Sequence, residues 1–203
     1  MPYELIVVGT SWGGLSAVGR MLEHLPESLD LPIVIAQHRG PGSLEGALAV
    51  SLQRRIARPV REVHDKDSID RGHIHLAPPD YHLLVEPGSL ALSTEDPVQF
   101  ARPSIDVMFE TTADAYGERA IGIILTGAND DGADGLARIK ERGGVAIAQD
   151  PETAEACEMP EAAIAAAAPT VLPLERIAPY IAELVGVGAP TAQDRFAGLE
   201  RVD

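Results

Sequence analysis

A single cysteine, Cys157, among 203 residues leaves no partner for an internal disulfide. That excludes the small secreted domains that depend on disulfide staples, and it fits a reducing compartment. No apolar run approaches the ~20 residues needed to cross a bilayer. The N-terminus lacks the basic-then-apolar pattern of a signal peptide, since the apolar stretch LIVVG has no basic residue before it. Basic residues are also scarce, 16 Lys and Arg against 31 Asp and Glu, for a net charge of −15. Such a chain does not concentrate the cations that neutralise a phosphate backbone, which argues against a nucleic-acid partner. The one basic island, Arg54, Arg55, Arg58 and Arg61, reads as a solvated helix end. The expectation is a soluble cytoplasmic protein, not inserted in a membrane.

What is present is an alternation. Val- and Ile-rich runs take turns with segments of helical period, the pattern of a doubly wound α/β fold with a mainly parallel sheet and helices on both faces. Strands are expected at 4–9, 32–37, 59–63, 120–127 and 145–149. Helices are expected at 13–24, near 43–57 with Ser43 as N-cap, after Ser104, at 132–142, at 158–168 and at 174–185. Residues 72–93 break the rhythm, and their PPD and PGS turns predict a small antiparallel β-excursion. Without a repeat or linker, residues 1–186 read as one domain and 187–203 as a flexible tail.

The stretch VVGTSWGG (7–14) places a Gly-rich turn between the first strand and the first helix. A dinucleotide loop needs glycine where Ser11 stands, and a phosphate-binding Gly-Lys-Ser/Thr is missing, yet the residues alone leave a phosphate loop, a structural turn and a nucleophile all open. Gly9-Thr10-Ser11-Trp12-Gly13 fits G-x-S-x-G, the sharp turn that lifts a serine above a sheet. Active groups of an open α/β sheet collect beyond the strands' carboxyl ends. That rule selects His38 after the second strand as base, and Asp131 within ANDDGADG as acid, with helix capping as the plainer role for Asp131. His73, His75 and His82 could suggest a metal site, but they lack supporting Cys or acidic spacing and read as ordinary histidines. A calcium loop through Asp130, Asp134, Gly135 and Glu141 fails at Gly132.

Taken in order, GTSWGG, QHRGPGS, HIHLAPPDYHLLVE, RPSIDVMF, ILTGANDDGADGL and MPEAA resemble the catalytic domain of the chemotaxis protein-glutamate methylesterases, the CheB family, over about residues 4–185. The resemblance implies hydrolysis of glutamyl methyl esters on the cytoplasmic helices of chemoreceptors, with glutamine deamidation as a further activity. It implies Ser11, His38 and Asp131 as a triad, backbone N–H groups of Trp12 and Ala128 as oxyanion donors, and no metal or cofactor. Three departures stand out: Trp12 replaces a small threonine, Cys157 and Glu158 replace tyrosine-glycine, and only three residues precede the first strand, so the expectation is either a free-standing esterase or a chain trimmed of the family's common receiver domain. Regulation by a separate receiver or regulatory protein is the corresponding expectation. The alternatives from other classes are an inactive, partner-binding relative and a nucleotide-binding domain.

Overall fold

The computed structural model of the protein describes residues 2–40 and 42–188. Strands β1 (Leu5–Thr10), β2 (Ile33–Gln37), β3 (Val60–Glu62), β4 (Ile74–Leu76), β7 (Ala120–Ile124), β8 (Val145–Gln149) and β9 (Thr170–Leu172) form one sheet. Its order is β3-β4-β2-β1-β7-β8-β9, parallel throughout. Strands β5 (His82–Glu86) and β6 (Ser89–Ser93) pair separately as an antiparallel hairpin. The helices are α1 (Gly14–Glu23), α2 (Ala47–Gln53), α3 (Ile105–Tyr116), α4 (Ala133–Glu141), α5 (Glu158–Ala167) and α6 (Leu174–Val185).

The central strands are unbroken apolar runs because both of their faces are covered. Side chains alternate along each strand. Ile6, Val8, Ile33, Ile35, Ile121 and Ile123 pack beneath α1 and α6. Leu5, Val7, Val34, Ala36 and Ile124 turn the other way, into the core of α3, α4, α5 and the hairpin. Each fully buried residue of this kind contributes about 1.5–3 kcal/mol of transfer free energy.

Two expectations need correction. The excursion expected over 72–93 is shorter: β4 belongs to the main sheet, beside β2 and β3, and only 82–93 form the antiparallel pair. The alternation of His73, Ile74, His75 and Leu76 resembles a half-exposed strand, yet both His75 and Leu76 are fully buried. Helix α2 is also shorter, and Ser43 is not its cap. The Ser43 hydroxyl donates to the Gly40 carbonyl at 2.8 Å, and Gly46 caps the helix while its N–H donates to Glu62 Oε2 at 2.7 Å. Ser104 does cap α3, its hydroxyl accepting from the Val107 N–H. Of the tail expected from 187, Val187 packs against the core, and residues from 189 onward lie outside the described part.

Two glycines bring α3 close to the sheet edge. A Cβ on Gly9 would meet the Ile105 side chain at 2.2 Å, and one on Gly132 would meet it at 2.5 Å. Ile105, the first residue of α3, therefore sits in a notch that side chains would close. The start of α3 is seated directly over the ends of β1 and β7.

Candidate active site

Strand β1 sits at the switch point of the sheet: successive strands run outward from it through β2 on one side and from β7 on the other. Such points gather ligands beyond the strands' carboxyl ends. The loops leaving β2, β1 and β7 carry His38, Ser11 and Asp131 there.

The turn at Ser11 is pinned through its backbone. The Ser11 N–H donates to the Thr126 carbonyl at 3.0 Å, and the Ser11 carbonyl accepts from the Gly14 N–H and from Gln37 Nε2. Thr126 Oγ1 donates to the Trp12 carbonyl at 2.9 Å. The Trp12 N–H and the Ala128 N–H donate to no acceptor among the described residues. Helix α1 opens on Gly13 with no side-chain cap and no acid in its own first turn, but the Glu155 carboxylate lies against this positive end, where a Cβ on Gly13 would meet its Oε2 at 2.8 Å.

His38 Nε2 donates to Asp131 Oδ2 at 2.6 Å. This leaves Nδ1 as the free ring nitrogen, the reverse of the serine proteases, where the acid holds Nδ1. Ser11 and His38 line one open groove of about 760 Å³, and the Ser11 hydroxyl has no hydrogen bond among the described residues. Catalytic contacts are commonly long before substrate binds.

Asp131 is fully buried and does not cap its own helix, whose N-cap is Gly132. Instead it reaches sideways to α3. Oδ2 accepts from the Ile105 N–H at 2.7 Å, and Oδ1 accepts from the Ser104 hydroxyl at 2.8 Å and the Asp106 N–H at 3.0 Å. Burial pushes its carboxyl upward, but the His38 hydrogen bond and the Asp106 and Ile105 N–H groups outweigh that and hold it below the ordinary carboxylate range. Asp131 stays an anion, aimed at the imidazole.

The profile of the CheB methylesterase family matches residues 6–181. The chain belongs to the CheB methylesterase family. A relative in Leptospira interrogans is 47% identical over 180 residues, covering 88% of this chain and 93% of its own. A Symbiobacterium thermophilum protein named protein-glutamate methylesterase/protein-glutamine glutaminase is 37% identical, over 93% of this chain but 52% of its own length. The crystal structure of the Thermotoga maritima CheB methylesterase catalytic domain superposes with a TM-score of 0.84 at 32% identity, covering 90% of this chain and 98% of that one. The doubly wound fold expected from sequence is the fold of that CheB domain.

The sequence pattern gave no reason to single out three residues around this CheB-family site. Gln37 ends β2, and its Nε2 donates to both the Ser11 carbonyl (2.7 Å) and the His38 carbonyl (3.0 Å), tying two loops together. Ser104 was expected only as a cap. Asp106, in the first turn of α3, is buried and accepts from the Gly135 N–H at 2.8 Å. Burial, opposed by that N–H and reinforced by Asp131 and Asp134, pushes its carboxyl up to about 7. Each reaches its partner across the fold, and no local spacing signals such a contact.

His73, His75 and His82 do not converge. They contact the carbonyls of Arg71, Asp70 and Asp96 respectively, and no group of three or more potential metal ligands occurs among the described residues. Asp134, Gly135 and Glu141 all lie in α4, so no calcium loop forms. The basic island disperses: Arg55 pairs with Glu23 and Arg61 with Asp70, while Arg58 donates to the Pro26 carbonyl. A second groove of about 680 Å³ begins at the other side of His38 and ends at Phe100. Trp12 is 66% exposed on the rim of the first groove and Phe100 is fully exposed on the second, so both flanks of His38 carry bare aromatics.

Proposed function

We propose that this chain hydrolyses glutamyl methyl esters on the cytoplasmic helices of methylated chemoreceptors, and deamidates receptor glutamines by the same attack. The observation that carries the reading is the 2.6 Å contact between His38 Nε2 and the buried Asp131 carboxylate, beside a serine held on a sharp strand-to-helix turn. Membership of the CheB methylesterase family supplies the substrate class. Exposed Trp12 and Phe100 suit a macromolecular substrate better than a small one confined in a pocket.

In this reading His38 Nδ1 takes the Ser11 proton as Ser11 Oγ attacks the ester carbonyl. Asp131 keeps the other ring nitrogen protonated and stabilises the imidazolium. The negative charge on the carbonyl oxygen is met by the unpaired N–H groups of Trp12 and Ala128. His38 returns its proton to the departing methoxide, methanol leaves, and Ser11 is left acylated. A water deprotonated by His38 then attacks, releasing the glutamate and restoring the serine. With a glutamine substrate, ammonia leaves in place of methanol.

The test is methanol release from a methylated chemoreceptor cytoplasmic fragment. The wild-type chain is expected to release it and Ser11→Ala is not, with both folded by circular dichroism. Equal release by Ser11→Ala would remove the serine mechanism, and no release by either would leave a partner-binding relative.

A further inference from the structure

Asp131 is held by more than the helix that faces it. His82 is buried at the start of β5, and its two ring nitrogens have different partners. Nε2 donates to the Asp96 carbonyl at 3.1 Å, and Nδ1 accepts from the Ser104 N–H at 3.1 Å. A ring that accepts at Nδ1 is the neutral tautomer protonated at Nε2. Ser104 in turn donates its hydroxyl to Asp131 Oδ1 at 2.8 Å. One hydrogen-bonded chain therefore runs from the hairpin through the start of α3 to the acid and on to His38.

We propose that His82 and Ser104 are positioning residues that fix the charge and direction of the Asp131 carboxylate, and through it set the basicity of the proposed catalytic base. This rests on the assignment of His38 and Asp131 above. The Ser104 hydroxyl occupies one lone pair of Oδ1, which shares the carboxylate charge between α3 and the imidazole. His82 fixes where that hydroxyl starts from, because it holds the Ser104 backbone. The other titratable or charged groups around the chain are Asp106 on α3, Asp134 on α4, Arg39 beside His38 and paired with Glu62 at 2.6 Å, Glu155, which lines the groove with His38, and Arg102, which is paired with Asp80 at 2.6 Å.

Variants at both positions separate positioning from simple support, read as kcat, KM and the pH profile of ester hydrolysis. Ser104→Ala is expected to lower kcat on the order of 10- to 100-fold, because the carboxylate is no longer held in line with the ring, with KM unchanged. Loss of the hydrogen bond leaves more negative charge to stabilise the imidazolium, so the acidic limb of the profile moves to higher pH. Ser104→Thr, which keeps the hydroxyl, restores both. At 82, asparagine keeps an acceptor where Nδ1 stands, whereas glutamine keeps only a donor where Nε2 stands. His82→Asn should stay near wild type and His82→Gln should fall towards Ser104→Ala.

The downfield proton resonance of the His38 Nε2–H gives a readout without substrate, expected in wild type and His82→Asn and lost in His82→Gln. Equal impairment of both His82 variants, or an unmoved acidic limb in a folded Ser104→Ala, overturns the proposal. Should Ser104→Ala fail to fold, the two His82 variants decide. A wild-type chain that hydrolyses no ester refutes the proposed function, while the proton resonance still tests the positioning pair.

Discussion

Two helix N-termini meet at the carboxyl edge of the sheet, and they are treated in opposite ways. The start of α3 is filled: Ser104 caps it, Asp106 stands in its first turn, and two of its N–H groups bind the buried Asp131 carboxylate. The start of α1 is uncapped: it has a glycine cap, no capping side chain and no acid in its own first turn, and the carboxylate beside it, Glu155, comes from another loop. Both ends carry about half a positive charge. The filled end holds a permanent anion that orients His38. The uncapped end adjoins Ser11, where the oxyanion of the proposed reaction would form. In the proposed reaction, the difference lets one electrostatic device serve orientation at one place and transition-state stabilisation at another.

The comparison can be broken most severely at the residue beside the uncapped end. Ser11→Ala should reduce kcat on the order of 10⁴- to 10⁶-fold, measured as methanol release, without lowering the melting temperature by more than a few degrees. Emptying the filled end comes next. Asp131→Asn can still accept from α3 but loses the charge facing His38, and should lower kcat on the order of 10⁴-fold with the fold intact. Adding an acid to the uncapped end has a smaller effect. Ser16→Asp puts an acid in the first turn of α1, where it should stabilise the helix by about 0.5 kcal/mol while lowering kcat several-fold through repulsion of the developing oxyanion.

The architecture was readable because it rests on local period. Unbroken apolar runs such as LIVVG and AIGII are dictated by burial on both faces, and the Ser, His and Asp positions follow from where those runs end. The β4 segment was misplaced because His75 is a polar residue buried in the main sheet, which local alternation represents as exposed. The cap of α2 was misplaced because the group that binds its N-terminal N–H is Glu62, 16 residues away on β3. The same holds for Gln37, Ser104 and His82. Their partners lie across loops, and only the assembled edge shows what they hold.

The smallest effect sharpens the contrast between two neighbouring carboxyls. Asp131 is held below the ordinary range, so the folded state keeps it ionised where the unfolded chain would be protonated. Its stabilisation is present above about pH 4 and is lost as pH falls further. Asp106 behaves oppositely. Raised to about 7, it keeps a proton that the unfolded chain gives up, so its contribution to stability declines as pH rises from about 4 to about 7. Asp106→Asn retains an acceptor for the Gly135 N–H and should flatten that slope. Urea denaturation at about pH 5 and about pH 8 should show it gaining on the order of 1 kcal/mol over wild type only at the higher pH.

The central claim is that Ser11 is a nucleophile activated by the pair formed by His38 and Asp131. Covalent labelling by a serine-directed fluorophosphonate, followed by peptide mapping, tests it most directly. The account predicts a single adduct on Ser11, formed quickly by the wild-type chain, far more slowly by Asp131→Asn, and not at all by Ser11→Ala. An adduct on another residue, or labelling of Asp131→Asn at the wild-type rate, would contradict it.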